Sequence, residues 1–330
     1  MPSRRVRVVV VNFNGGDAVV RCVAALQALD TEHQIEIVVV DNASTDGSPE
    51  VLRACPGVAV WPTGGNLGFV ANNLALADLR DLDYVALVNN DAFVESRWLD
   101  PLVDVLESQP RVGAVQSKIL FEGRRTDDGA AVINNVGGVV LADGSGADRG
   151  FEEPDRGQYD QPDEVFAWCG GSVLLRPSYL AEVGLFDEHL FLYYEDTDLS
   201  WRGRALGWRY LLEPRSVVWH LHAASSGPSS PVFRYYNERN RLVVLAKNAP
   251  AALARGAALR HPLSTLSYLR TALRQAVADR RRPDLAIVVV RTRAYGGFLR
   301  LLPGALVARR RLARRRTVPE AEVSRWIGRT

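Results

Sequence analysis

Carboxylates and amides gather at three places in this chain, and each grouping could do a definable piece of chemistry. Asp41-Asn42 ends the apolar run Ile35-Glu36-Ile37-Val38-Val39-Val40, and Asn89-Asn90-Asp91 ends Tyr84-Val85-Ala86-Leu87-Val88. A carboxylate at the carboxyl end of a strand can accept hydrogen bonds from a ribose or base, and one preceded by two asparagines can hold a hard divalent cation. Capping the following helix or turn is the plainer use of either aspartate, and Asp46 reads as a turn residue. The third grouping runs from Phe186 to Leu199 and sets Asp187, Glu188, His189, Glu195, Asp196 and Asp198 among aromatics. Burying that many acids is costly unless they line water, a metal or a substrate. Asp196, beside Glu195 and just ahead of a helix opened by Thr197 and Asp198, is the candidate base for an incoming hydroxyl. Asp198 serves equally as a cap or as an ion-pair partner for Arg202 and Arg204.

Smaller groups surround these. His220 and His222 flank Leu221 after a short strand; such a pair faces one side and could bind metal, although satisfied polar side chains are the default. Arg239-Asn240, read as opening an apolar helix, either meets phosphates or is a solvated helix start. Gly64-Gly65-Asn66-Leu67-Gly68-Phe69 is not a dinucleotide fingerprint, and no Gly-Lys-Ser/Thr motif exists, which weakens NAD and P-loop readings. Those glycines make a tight turn, or lie before a helix where a phosphate or sugar would fit.

The elements that must hold these residues alternate. Strands are expected over 6–11, 35–40, 58–61 and 84–88, with helices over 18–29 and 70–79 and another entered at Ser48 as N-cap and Pro49 as first helical residue. Further on, the pattern gives a helix over 98–108, a strand over 112–116 and a hairpin-like piece over 132–141 between Gly- and Asp-rich loops. A strand over 170–175, helices over 177–183 and 199–206, and late strands over 208–212 and 217–219 complete this part. From 233 onward the spacing is helical, and 285–302 is apolar but broken by Arg291, Arg293 and Gly296-Gly297. The first half therefore reads as an α/β fold with a mostly parallel sheet and crossover helices.

The chain has 330 residues, 47% hydrophobic and 24% charged, which suits a folded protein with a full core. Its net charge of +2 hides an asymmetry: residues 251–330 hold 18 arginines, no lysine and four acids, an excess of 14, so the preceding part carries −12. Cys22, Cys55 and Cys169 form no CxxC or metal spacing, consistent with free thiols in a reducing compartment. Cys169, between Trp168 and Gly170, is an inert buried thiol or lines a pocket. The basic opening before Val8 runs too soon into Asn12 and Asn14 to be a secretory signal, and no apolar window approaches the length of a membrane span.

Taken in order, Val10-Val11-Asn12-Phe13-Asn14-Gly15, Val40-Asp41-Asn42-Ala43-Ser44-Thr45-Asp46-Gly47-Ser48, Asn66-Leu67-Gly68-Phe69 with Asn72-Asn73, Leu87-Val88-Asn89-Asn90-Asp91, the run 184–202 and Val218-Trp219-His220 resemble the inverting glycosyltransferases of family 2. Within that family the chain looks like the bacterial rhamnosyltransferase-like branch. The resemblance covers about residues 6–245. It implies the nucleotide-diphospho-sugar transferase fold called GT-A, Rossmann-like with a mostly parallel sheet, over 1–232, with a donor half to about 115 and an acceptor half beyond. A helical, basic C-terminal region over 233–330 would follow, associating with a membrane or with another subunit.

The resemblance also implies roles. Asp41 would contact the donor's base or ribose with Asn12 and Asn14; Asn66, Gly68, Asn90 and Arg239 would join the donor site. Asp91 would be the surviving acid of a metal-binding Asp-x-Asp, holding Mg²⁺ or Mn²⁺ against the diphosphate, with Asn89 in place of the first acid and His220 as second ligand. Asp196 would be the base, with Glu195 alongside. The reaction implied is direct, inverting transfer of a sugar, L-rhamnose from dTDP-rhamnose first, to a cell-envelope glycan or a polyprenyl-diphosphate-linked acceptor. A UDP-hexose or UDP-N-acetylhexosamine donor, or a binding protein without catalysis, are the alternatives. The arginine clusters at 280–282, 309–311 and 314–316 suit an anionic membrane surface. The expected setting is cytoplasmic, peripheral on the inner face of the cell membrane, with no nucleic-acid partner; a homo-oligomer, or pairing with the acidic body, are other uses of the charge.

Overall fold

The computed structural model describes residues 2–221 and 230–329. Short apolar strands alternate with helices through the first half: β1 (Arg5–Asn12), α1 (Gly16–Gln27), β2 (Gln34–Asp41), α2 (Ser48–Ala54), β3 (Val58–Pro62), a 3₁₀ turn (Gly68–Ala71) leading into α3 (Asn72–Leu76), and β4 (Tyr84–Asn89). Then come β5 (Ala92–Val94), α4 (Leu99–Ser108), β6 (Val112–Arg125), β7 (Ala131–Asn135), β8 (Gly138–Val140), β9 (Gly146–Asp148), β10 (Asp163–Glu164), β11 (Ser172–Leu175) and α5 (Pro177–Val183). The chain ends through α6 (Glu195–Ala205), β12 (Arg209–His220), α7 (Pro231–Asn248), α8 (Ala251–Ala278), α9 (Ala286–Arg315) and α10 (Glu320–Ser324).

The main sheet has the order β10-β12-β6-β11-β4-β1-β2-β3. β3, β2, β1 and β4 are mutually parallel; β11 runs antiparallel between β4 and β6, and β6 and β12 are again parallel. The expected mixed α/β sheet, mostly parallel in strand direction, is therefore present. Its strands are buried on both faces because side chains alternate. Val6, Val8 and Val10 of β1 pack with α1 and α4, including Val23, Leu26, Leu102 and Leu106. Val9, with Val38 and Val40 of β2, packs on the other face with Ala75 of α3, Leu180 of α5 and Leu199 of α6.

Several boundaries differ from the sequence pattern, each for a local reason. The two late strands are one, β12, whose register shifts between Glu213 and Val217, where Pro214 has no N–H to give to the ladder. β6 outruns 112–116 because it pairs with β12 as far as Phe121 and His220. The helix expected over 70–79 is only the 3₁₀ turn and α3. Ser48 lies inside α2, and Gly47 at φ 84° takes the N-cap position. The most consequential shift is α6, which starts at Glu195 and not at 199, so Glu195 and Asp196 belong to its first turn. Tyr193 and Tyr194, at φ 67° and 70°, turn the backbone just before it, and acids in the first turn complement the helix dipole.

The C-terminal helices share a core with the sheet domain. Leu242–Ala246 and Phe298 cluster with Val140, Phe166, Leu190 and Trp201. Arg291, which interrupts the apolar run 285–302, is buried in α9 and paired with Glu238 of α7, which also lies 3.3 Å from His261 Nδ1. Among the described residues no helix is long and apolar enough to cross a membrane.

Asp198 ties α6 to α7. Its fully buried carboxylate lies 2.8 Å from Lys247 Nζ and 2.9 Å from Arg202 Nε and accepts from Asn248 Nδ2 at 2.8 Å. Burial alone would raise its pKa, but Lys247 and Arg202 bring it below the usual value. Asp198→Ala leaves Lys247 buried with only Asp187 and should cost about 3–5 kcal/mol, read as a lowered urea midpoint at unchanged m-value.

Candidate functional site

One side of the candidate site is built at the carboxyl edge of β1, β2 and β4. Because β1 lies between the other two, register sets Asn12 beside Asp41 and Val11 beside Asn89. Asn12 is fully buried and its amide donates to Asp41 Oδ1 (3.2 Å), Ser44 Oγ (3.1 Å) and Ser48 Oγ (2.9 Å), while its Oδ1 accepts from Gly15 N–H (3.1 Å). Asn14, at φ 52°, donates its N–H to Ser44 Oγ and accepts from Thr45 N–H. These two amides thus sew the β1 and β2 loops together and fix the rotamer of Asp41. Asp46 accepts from Gly16 N–H and Ser48, a turn role as its sequence position indicated.

The glycine loop closes this pocket from the side. Asn66 Oδ1 accepts from Gly68 N–H, and Gly68 C=O accepts from Asn42 Nδ2 at 2.9 Å. Gly68 sits at φ 68°, and any Cβ there would overlap the carbonyl oxygen of Phe191, so only glycine fits. Asn73 adds a two-way amide clamp, accepting from Phe186 N–H and donating to Phe186 C=O. The donor loops are thereby fastened to the acidic segment.

Asp91 and His220 meet by strand pairing. β5 runs antiparallel to β12 with Ala92 opposite His220, which leaves His220 Nε2 2.9 Å from Asp91 Oδ1; His220 Nδ1 lies 2.9 Å from Asn134 Oδ1 of β7. Asn89 Nδ2 is 3.4 Å from the same Nε2, and Asn90 lies over Gly15, its amide 2.8 Å from where a Gly15 Cβ would be. One carboxylate and one imidazole converging on a point form a donor set that fits a divalent cation whose other ligands are diphosphate oxygens and water. Among the described residues no group of three or more His, Cys, Asp or Glu stands ready to hold a metal without substrate. His222 lies outside the described residues.

Asp196 occupies the other end. Its Oδ1 accepts from Thr197 N–H (2.6 Å) and its Oδ2 from Gly170 N–H (3.3 Å); burial raises its pKa against the pull of these bonds. Glu195 is buried, its Oε2 has no hydrogen-bond partner among the described residues, and burial followed by the charge of Asp196 drives its pKa well above the usual carboxylate value. Glu195 is thus pushed further towards its protonated form than Asp196, whose carboxylate is stabilised by the Thr197 and Gly170 N–H bonds.

Sequence reasoning missed Asp148 on β9. Its carboxylate accepts from Asn135 Nδ2 at 2.6 Å, and crowding by protein, then the like charge of Asp196, push its pKa up to about 6. The charge of His220 acts on it in the opposite sense, so Asp148 lies in electrostatic reach of both Asp196 and the Asp91–His220 pair. Cys169 is in electrostatic reach of Asp148 and Asp196, and burial raises its thiol well above the usual value; it is a protonated, unreactive wall. Asp148 falls in a Gly- and Asp-rich stretch without periodicity, and no signal marked it.

Arg239 lies elsewhere than the sequence implied. Asn240 and Arg239 are in the middle of α7, both buried. Arg239 donates to the carbonyls of His189 and Leu190 and to Asn240 Oδ1, and Asn240 Nδ2 lies 2.8 Å from the carbonyls of Leu190, Leu192 and Tyr193. These are the carbonyls of the loop that ends in Glu195. Phe191, Tyr193 and Tyr194 all sit at positive φ, a conformation side chains of this kind rarely adopt. The Arg-Asn pair holds that loop in place.

The family model for glycosyl transferase family 2 matches residues 7–179. The chain is 32% identical over 237 residues, 67% of its length and 77% of the relative's, to N-acetylglucosaminyl-diphospho-decaprenol L-rhamnosyltransferase of Mycobacterium tuberculosis. Among solved structures it is similar to GalNAc-T7 with UDP, GalNAc and Mn²⁺ (TM-score 0.58, 18% identity, 74% of this chain but only 48% of that one). It is also similar to a mannosyltransferase from Pyrobaculum calidifontis with GDP-Man and Mn²⁺ (TM-score 0.53, 19% identity, 98% of this chain and 87% of that one). Both carry the GT-A fold expected here.

Two outcomes follow from the geometry. Asn240→Ala strands the carbonyls of Leu192 and Tyr193, Leu190 keeping its bond from Arg239, and should cost about 1–3 kcal/mol in stability, with hydrogen exchange of residues 189–194 accelerating more than that of the sheet. Asp148 binds its proton more tightly folded than unfolded, so its ionisation penalises the fold, and that share of stability falls as pH rises from its ordinary 3.8 through about 6. Asp148→Asn should flatten stability across this window in urea titrations at stepped pH.

Proposed function

The chain belongs to glycosyl transferase family 2, and from that membership we propose that it is an inverting transferase moving L-rhamnose from dTDP-rhamnose to a hydroxyl of a lipid-linked cell-envelope glycan. The observation that carries the catalytic part is the half-buried Asp196 at the start of α6, next to the buried Glu195 whose pKa burial and Asp196 drive well above the usual value, with the Asp91–His220 pair as a second polar centre. The donor and the acceptor class follow from likeness to the mycobacterial enzyme, whose name specifies rhamnose and a diphospho-decaprenol acceptor.

Asp196 takes the proton of the acceptor hydroxyl as that oxygen attacks the anomeric carbon from the face opposite the diphosphate, so the centre inverts and no enzyme nucleophile is required. A base with a raised pKa has greater proton affinity near neutral pH, which favours this transfer. Asp41, steadied by Asn12 and Asn14, accepts from the nucleoside; Asn66, Gly68 and Asn90 border the same pocket. Asp91 and His220 would hold Mg²⁺ or Mn²⁺, which when bound neutralises charge on the departing diphosphate. Arg239 supports the site through the loop it braces.

The C-terminal helices support contact with an anionic membrane surface. Leu259, Leu263, Leu266, Leu273 and Val277 lie exposed along one face of α8, interspersed with Arg255, Arg260, Arg270 and Arg274, and α8 contains no acid. Apolar residues at helical spacing between cations suit anionic headgroups, whereas pairing with a second copy would set arginine against arginine.

The test is transfer by the full chain from dTDP-rhamnose, UDP-glucose, UDP-galactose and GDP-mannose, each with and without Mn²⁺. Transfer confined to dTDP-rhamnose with anomeric inversion is expected. Asp196→Asn should lower kcat at least about 10²-fold while the thermal shift given by the donor stays as in the wild type. Unchanged turnover in this variant would remove Asp196 from the mechanism.

A further inference from the structure

A cavity of about 560 Å³ lies between the start of α7 and the middle of α9, away from the carboxylates of the cleft. Val232, Tyr235, Tyr236 and Val290 give it apolar and aromatic walls, and Arg293 and Arg300 face it from α9. The two arginines are seven residues apart, two helical turns, and so lie on one face. Among the described residues neither has a hydrogen bond or an ion pair, and the lining contains no acid. Its size is that of pockets that take small ligands, and Val232, half exposed, leaves it open.

The cavity is joined to the catalytic loop by stacked rings. Tyr236 stacks on Phe191 with centroids 4.8 Å apart, and Tyr235 meets Tyr236 edge-on at 5.1 Å. Phe191 C=O accepts from Phe69 N–H on the donor side, and four residues later the same loop delivers Glu195 and Asp196. Gly297 lets α9 come this close: a Cβ there would lie 2.7 Å from Tyr235 Oη and 3.0 Å from Arg239 Cδ.

We propose that this cavity binds the diphosphate and first isoprene units of a polyprenyl-diphosphate-linked acceptor, Arg293 and Arg300 pairing with the diphosphate and the tyrosine and valine walls covering the chain. This rests on the lipid-linked acceptor reading above and assigns it a place. Two cations without acid partners match a dianionic group, and apolar walls match a hydrocarbon. A nucleotide is the poorer occupant, because the lining offers no amide or carboxylate to read a base or a ribose. Beyond the cavity, the exposed leucines and arginines of α8 and α9 give the remainder of the chain a route to a bilayer.

Titration calorimetry of the full chain with farnesyl diphosphate tests the site. Gly296→Leu fills the cavity without a clash, since a Cβ at Gly296 meets nothing within 4 Å. The double variant Arg293→Gln/Arg300→Gln removes the charges. Each should weaken farnesyl diphosphate at least about tenfold with the thermal midpoint of the free protein and the shift given by dTDP unchanged. Equal binding by wild type and both variants overturns the assignment, as does absence of binding by wild type or one-for-one displacement by dTDP. Transfer to N-acetylglucosaminyl-diphospho-farnesol is scored separately. Wild type that transfers to it while the variants bind farnesyl diphosphate normally sinks the cavity alone. Wild type that binds farnesyl diphosphate and loses it in the variants, yet transfers nothing to this acceptor, sinks the acceptor reading alone.

Discussion

The site depends on one piece of backbone held against its own preference. Between Leu190 and Glu195 the chain passes through Phe191, Tyr193 and Tyr194 at φ 64°, 67° and 70°, and each such residue costs on the order of 1 kcal/mol or more. The compensation comes from α7, where Arg239 and Asn240 direct five hydrogen bonds at the carbonyls of residues 189, 190, 192 and 193. Without that bracing α6 would not begin at Glu195, and the base would not stand over Gly170. Lys247, one helical stretch further along α7, reaches Asp187 and Asp198 and pins the two flanks of the same segment. A helix outside the stretch matched by the family model therefore braces the loop that leads into Glu195 and Asp196.

The other half of the site needs no such device, because sheet topology supplies it. Once β1 lies between β2 and β4, strand ends bring Asn12, Asp41 and Asn89 to one edge, and the pairing of β5 with β12 draws His220 to Asp91 across 129 positions of sequence. Rigid strands position these groups, while a braced loop positions the base. The two halves are locked together where Gly68 passes under Phe191 and where Asn73 clamps Phe186, so these contacts tie the β1–β2 loops around Asp41 to the segment that leads into Asp196.

This division explains what could be read from the amino-acid sequence. Asp41 and Asp91 were legible because an apolar run ending in a carboxylate is a local pattern with a topological meaning. The partnership of Asp91 with His220 was legible only through family resemblance, since nothing local links β5 to β12. Asp148 was not legible at all: β9 is three residues in a Gly-rich stretch and owes its place to pairing with β8. Arg239-Asn240 was misplaced because polar residues ahead of an apolar run look like a helix start, whereas α7 begins at Pro231, and its polar first half is polar because it faces carbonyls and aromatics of the catalytic loop. The start of α6 was set four residues late for the same reason: left-handed tyrosines have no propensity signal, being imposed by tertiary hydrogen bonds.

The charge asymmetry takes on a different meaning in this frame. Part of the acidic body is concentrated near the candidate site, where Asp196 raises the pKa values of both Asp148 and Glu195 while burial raises its own. A site of that kind repels a free diphosphate unless cations stand at its border. Around the cavity between α7 and α9, Arg293 and Arg300 have no acid beside them among the described lining residues, while Arg291, two residues before Arg293, is paired with Glu238. Arginines of α9 thus divide into those that hold the fold, Arg291, Arg309 and Arg315, and those that line the cavity beside Tyr235 and Tyr236, Arg293 and Arg300.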